Sequence, residues 1–345
     1  MALSKIAVIA PGFTQPSPAQ QILDRFLAGY PANGAFRTRA ANAITLFAPG
    51  ASPDTLAPRI KDLGLLQSGN LEDALAGAEA ALIAWPGPGH AVEPGLVETI
   101  LAQLKPGARC FVHGLLAADR EAAAHADDLA RSRRIQLTAA TVLPCTPRLP
   151  EAHLKRGSTA SDSLIVVQGD DHEATLHGVE GLHSDLERGG TIFDLPLEIR
   201  KYSGAAVWTA GDRGEWSREL LGAALSRSNN PQGDPMTDGR TQDLLGLGLV
   251  PRLARNPRAW ITRHGDGSRS AILALDGVVT DINIAVRPRS GPVVSAQLYR
   301  PPAPNQAAFH HLTAVIEDFF NGAVPPWSGH RGIAVATWHA ALVAR

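Results

Sequence analysis

Short apolar runs alternate with longer mixed stretches through the first 145 residues. Runs at residues 6–10, 43–47, 80–85, 109–113 and 135–139 predict buried strands. Between them, apolar residues recur at helical spacing over residues 19–28, 53–63, 71–76, 95–101 and 117–133. Asn70, ahead of Leu71, is placed to cap its helix, and Asp73 adds negative charge to that first turn. Continuous apolar strands separated by helices predict a doubly wound parallel sheet, a Rossmann-like domain over residues 1–145.

The pattern changes at residues 143–150, LPCTPRLP, whose prolines predict a crossing between domains. Beyond it lie a predicted strand at 163–168 and a helix at 171–188. Segments 258–264 and 268–275 flank Gly265, Asp266 and Gly267, a hairpin signal that leaves Arg263 and His264 exposed by default. Segments 282–286 and 293–299 alternate in the same way. Residues 146–345 therefore predict an α+β domain on a largely antiparallel open sheet. Residues 228–243 read as a polar, turn-rich loop. Tail helices are expected at 306–320 and 330–343, with room to pack back on the first domain.

Composition narrows the function classes. A net charge of -1 over 345 residues argues against a general nucleic-acid or anionic-membrane surface. With 5% aromatic residues, an extended base-stacking groove is not expected. The apolar run after Lys5 is too short for a signal peptide, so a cytoplasmic location is the expectation. Cys110, in a predicted strand, reads as an inert buried thiol.

The candidate chemistry begins where the first strand ends. Strand, turn and helix at this point suit a dinucleotide pyrophosphate. Ala10, Gly12 and Phe13 are the candidate cofactor contacts, yet Gly12 is the only glycine between Pro11 and Pro18. His113 ends the predicted fifth strand, at the sheet edge where ligands of open α/β sheets bind. It reads as a proton-transfer group or as a histidine hydrogen-bonded in a loop. The densest polar stretch is residues 170–190, DDHEATLHGVEGLHSDLERGG. On a helix, His177, Glu180 and His183 step by three and share a slowly drifting face. Two imidazoles and a carboxylate suit general acid–base work, and a divalent metal less well. The bland alternative is a solvated amphipathic helix whose Leu176, Val179, Leu182 and Leu186 face a core. His310 and His311 are adjacent on a tail helix, so at most one is expected to enter a given site.

The order KIAVIAPG, LEDALAGAEAALIAWPGPGH, LKPGARCFVHGLLA and FHHLTAVIEDFFNGAVPPWSGHRGIAVATWHAAL resembles the Gfo/Idh/MocA family of sugar and inositol oxidoreductases. That resemblance implies NAD or NADP as cofactor, with Trp85 and Gly87 beside the nicotinamide. It also implies a substrate hydroxyl set between nicotinamide and His183 or His177, and a homo-oligomer formed through the C-terminal sheet. Three family features are missing. The first turn lacks Gly-x-Gly-x-x-Gly. Where members carry Glu-Lys-Pro after the fifth strand, this chain has His113, Gly114 and Leu115, so His113 stands near the lost lysine. Where members carry an aspartate ahead of the helix histidine, it has Val179, Gly181 and His183. Two alternatives follow: a member that has exchanged redox chemistry for lyase, isomerase or hydrolase work through the His/Glu helix, with a metal possible there, and a non-catalytic partner subunit.

Overall fold

The computed structural model describes residues 3–85, 93–189, 198–230, 245, 248–301 and 307–344. Gly87 and most of the predicted loop at 228–243 lie outside these residues. The chain divides into two compact units, Met1–Cys145 with Pro301–Ala336, and Thr146–Arg300 with Thr337–Arg345.

The first unit opens with β1 (Leu3–Ile9), α1 (Pro18–Ala28), the hairpin β2 (Tyr30–Ala32) and β3 (Ala35–Arg37), then β4 (Ala41–Phe47) and α2 (Pro53–Leu63). It continues with β5 (Leu66–Gln67), α3 (Leu71–Leu75), β6 (Ala80–Ala84), α4 (Leu96–Gln103), β7 (Arg109–His113), α5 (Arg120–Ser132) and β8 (Gln136–Ala140). Six strands form one sheet in the order β5-β4-β1-β6-β7-β8, and every neighbouring pair is parallel. The expected doubly wound sheet is therefore present, and β1 and β6 are buried as their unbroken apolar runs require: Ile6 to Ala10 and Ala80 to Ala84 are fully buried. Asn70 caps α3 as its sequence suggests, accepting from the Asp73 N–H at 2.8 Å. The helix Ala308–Phe320 lies against α1 and β7, where the Arg109 guanidinium donates to the Phe319 carbonyl.

The β2–β3 hairpin has no counterpart in the expected elements. It turns at Asn33 and Gly34, whose φ values of 52° and 78° suit a tight two-residue turn.

The second unit contains β9 (Arg148–Leu149), β10 (Ala160–Val167), α6 (Asp171–Leu186), β11 (Glu198–Ser203), α7 (Ala205–Asp212) and α8 (Arg218–Leu225). Strands β12 (Arg255–Arg263), β13 (Arg269–Asp276), β14 (Ile282–Pro288) and β15 (Val294–Leu298) complete it. They form an open seven-stranded sheet, β11-β12-β13-β10-β14-β15-β9, antiparallel except for the β10–β13 pair. The β12–β13 hairpin turns where Gly265, Asp266 and Gly267 predict it, with the Gly267 N–H donating to the His264 carbonyl at 3.0 Å.

Helices cover both faces of this sheet. On one face Leu164, Ala271, Leu273 and Ala285 pack with Val207, Leu220 and Leu221 of α7 and α8. Trp216, 1% exposed, wedges between those helices and donates its indole N–H to the Val207 carbonyl at 2.9 Å. An oligomer built on a bare sheet face is thus not what the chain offers here, because α7 and α8 already occupy that face. Asp212 and Glu215, expected at a helix start, instead lie between α7 and α8.

On the other face α6 lies close to the strands. A Cβ at Gly178 would come within 2.6 Å of the Ile272 side chain, and one at Gly181 within 2.4 Å of Ile165. No helix among the described residues is long and apolar enough to cross a membrane.

Candidate functional site

In the first unit, β1 and β6 are neighbours although three strands separate them in the chain. Strand order reverses between them, and their carboxyl ends flank the crevice where open α/β sheets bind ligands. Ala10 follows β1, fully buried, its N–H donated to the Phe47 carbonyl at 2.9 Å. Gly12 turns the chain with φ of 65°. The Phe13 ring is 3% exposed, so any ligand meets its backbone rather than its ring. The Arg59 guanidinium lies 5.7 Å from that ring's centroid and pairs with Asp24 at 2.6 Å. Ser17 caps α1 by accepting the Gln20 N–H at 3.1 Å, and Pro18 has no N–H to give. That leaves Ala19 as the first-turn amide open to a phosphate. The turn fits a dinucleotide pyrophosphate through its backbone, with fewer donors than a three-glycine turn supplies.

At the next two strand ends, Trp85 and His113 stand where the sequence places them. The Trp85 indole is 4% exposed and donates its N–H to the Leu115 carbonyl at 2.9 Å. It lies across Gly114, where an added Cβ would sit 3.0 Å from Trp85 Cδ1. Gly114 also has φ of 109°, a conformation that a side chain strains. The position that family members fill with lysine is therefore closed here by an indole. His113 is 7% exposed, and its ring centroid lies 6.0 Å from that of Phe309. Burial pushes its pKa down to about 4, so the imidazole is neutral near pH 7 and suited to accept a proton rather than deliver one.

In the second unit, Asp170 caps α6 and accepts the Glu173 N–H at 2.9 Å. The helix is not the solvated amphipathic element of the bland alternative. From Ala174 to Leu186 every residue except Ser184 is buried, with His177 7%, Glu180 1% and His183 1% exposed. His177 Nδ1 lies 3.9 Å from Glu173 Oε1. His183 Nδ1 lies 3.6 Å from Glu187 Oε2, and neither of its ring nitrogens has a hydrogen-bond partner.

The charged neighbour that the sequence did not reveal is His264, 2% exposed instead of solvated at the hairpin. Its Nε2 lies 2.8 Å from Ser270 Oγ, which lies 2.8 Å from Ser163 Oγ. The Trp338 ring packs edge-on against it at 5.2 Å between centroids, and the Trp338 indole donates to Thr262 Oγ1 at 2.9 Å. Burial pushes the His264 pKa down to about 4; Asp266 opposes this and His183 adds to it. Trp260, Thr262 and His264 alternate along the chain, and that period of two was the available signal that His264 faces inward. His339 is buried likewise, its ring 5.7 Å from that of His172, and its pKa is also pushed down to about 4. Of the two tail histidines, His310 packs on Tyr30 at 5.6 Å and His311 is exposed. Among the described residues, no group of three or more His, Cys, Asp and Glu side chains is placed to hold a metal ion.

No protein-family model matches the chain, and no curated protein matches it in sequence. Solved structures share its fold. The gentamicin A biosynthesis protein GenD2, in complex with NAD, superposes with a TM-score of 0.61 at 13% identity, over 99% of this chain and 93% of its own. The UDP-N-acetylglucosamine 3-dehydrogenase GnnA from Acidithiobacillus ferrooxidans gives 0.58 at 12% identity, over 99% and 96%. The myo-inositol 2-dehydrogenase from Lactobacillus plantarum gives 0.56 at 11% identity, over 97% and 94%. The two-domain architecture is that of Gfo/Idh/MocA-type oxidoreductases.

Proposed function

We propose that this chain is a divergent Gfo/Idh/MocA oxidoreductase that uses NAD or NADP on a sugar, polyol or related hydroxylated compound. The observation that carries this is the parallel sheet. Without the β2–β3 hairpin its strands run in the order 3-2-1-4-5-6, the dinucleotide-binding order, and Ala10, Gly12, Phe13 and Trp85 bracket its reversal point. The fold neighbours support it, since one is a complex with NAD and others are sugar and inositol dehydrogenases.

The cofactor would supply the hydride acceptor. Around it, the Ala19 N–H and the backbone of residues 10–13 would bind the pyrophosphate. Lysine is absent at position 114, so a neutral imidazole takes the hydroxyl proton as the substrate is oxidised, with His183 or His177 in that role. His113, neutral and near the dinucleotide crevice, would orient polar groups by accepting a hydrogen bond.

One observation favours a second reading, in which redox chemistry has been lost and His177, Glu180 and His183 serve a lyase, isomerase or hydrolase. Trp85 and the proline-rich turn together remove a proton donor and several phosphate donors. Titration with NADH and NADPH, followed by nicotinamide fluorescence and thermal stability, separates the two. Cofactor at about a hundred times its Kd raises stability by about 2.7 kcal/mol. No saturable binding at millimolar cofactor sinks the oxidoreductase proposal.

A further inference from the structure

We propose that Arg300 binds the anionic group of the substrate, making the substrate a hydroxylated acid: a sugar carboxylate or a phosphorylated sugar. This rests on the oxidoreductase proposal above and narrows its substrate class.

Arg300 directly follows β15, where the Tyr299 N–H donates to the Pro147 carbonyl at 2.8 Å and fixes the chain. Two residues earlier, Leu298 is 1% exposed and lies under Gly181 of α6. The guanidinium is half-buried and, among the described residues, makes no hydrogen bond and no ion pair. Burial lowers its pKa, and the carboxylates of Glu173 and Asp281 oppose that at a distance. A guanidinium out of water with no direct partner is costly, and a bound anion removes the cost.

The acidic side chains around it are otherwise engaged. Asp281 accepts from Ser228 Oγ at 2.9 Å, the Asn229 N–H at 2.7 Å, Asn283 Nδ2 at 2.6 Å and Gln297 Nε2 at 2.6 Å. Arg258 pairs with Asp171 at 2.6 Å and with Asp276 at 2.9 Å. Glu173 folds back, its Oε2 within 2.4 Å of where a Gly169 Cβ would stand, and its Oε1 lies 3.9 Å from His177. Arg300 is therefore left for an incoming anion, while Glu173 and His177, on the same helix, are placed to meet hydroxyl groups.

The test is calorimetric titration of the whole protein, without nicotinamide cofactor, using D-glucuronate, D-glucose 6-phosphate and D-glucose. One or both acids should bind about tenfold tighter than D-glucose or better, and the acid that binds tells a carboxylate from a phosphate site. Arg300→Met should reduce that preference to about twofold or less, and Arg300→Lys should keep part of it. If Arg300→Met does not fold, Arg300→Lys carries the test by weakening the acid and leaving D-glucose unchanged. Equal binding of acids and neutral sugar, no binding of either acid at about 10 mM, or an unchanged preference in the Arg300 variants overturns the proposal. NADH titrated separately into the same variants reads the oxidoreductase proposal on its own, because Arg300 lies in the unit that does not hold the parallel sheet.

Discussion

Mild acid should unfold the second unit, because two of its buried histidines resist protonation. Free histidine titrates near 6.5, whereas burial holds His264 and His339 at about 4. Below pH 6.5 the unfolded chain therefore takes up two protons that the folded unit refuses. The stability linked to these groups is complete above pH 6.5 and is lost as pH falls toward 4. Each histidine removes about 1.4 kcal/mol per pH unit in that window, so the pair removes about 4 kcal/mol by pH 5. That is most of the stability of a domain at the low end of the usual range of about 5–15 kcal/mol. The two side chains are 2% and 3% exposed, so solvent screening reduces this little. Urea unfolding followed by tryptophan fluorescence at pH 7.5, 6.5, 5.5 and 5.0 measures it. The midpoint should fall steadily below pH 6.5, and His264→Gln should remove about half of the slope. A midpoint that is the same at pH 7.5 and 5.0, or a slope untouched by His264→Gln, refutes the reasoning.

Two further outcomes follow from packing. Gly114→Ala should destabilise the first unit by about 1–3 kcal/mol, since the new methyl meets Trp85 and the backbone cannot relax, and a lowered Tm checks it. Gly178→Ala should cost about 1–3 kcal/mol for the same reason against Ile272, whereas Gly222→Ala in α8, with nothing nearer than 3.8 Å, should stabilise by about 0.5–1 kcal/mol. Urea midpoints that move in the same direction for these two glycines contradict the packing described for α6.

The parallel sheet was legible because strands buried on both faces need unbroken apolar runs, as in Ile6–Ala10. The hairpin from Arg255 to Asp276 was legible through Gly265, Asp266 and Gly267. Asn33-Gly34 carried an equally strong turn signal, but its strands have three residues each and offer no alternation to read. β11 escaped because Glu198 to Ser203 forms an edge strand with no fully buried residue. α7 begins at Gly204 without a side-chain cap, and its small residues gave no amphipathic stripe. His177, Glu180 and His183 were legible as a helix face. Their burial was not, because it depends on Gly178 and Gly181 letting α6 settle against the sheet. His264 was hidden by the rule that residues beside a hairpin turn are solvated.

The contact between Trp85 and Gly114 also constrains the paths open to descendants of this chain. A lysine cannot return to position 114 by one substitution, because the indole occupies the space its Cβ requires. Replacing Trp85 first would strip the Leu115 carbonyl of its donor and open a void over the strand ends, with no catalytic gain to offset the loss. Each single step leads downhill, so the two positions behave as a ratchet that holds the chain in its present chemistry.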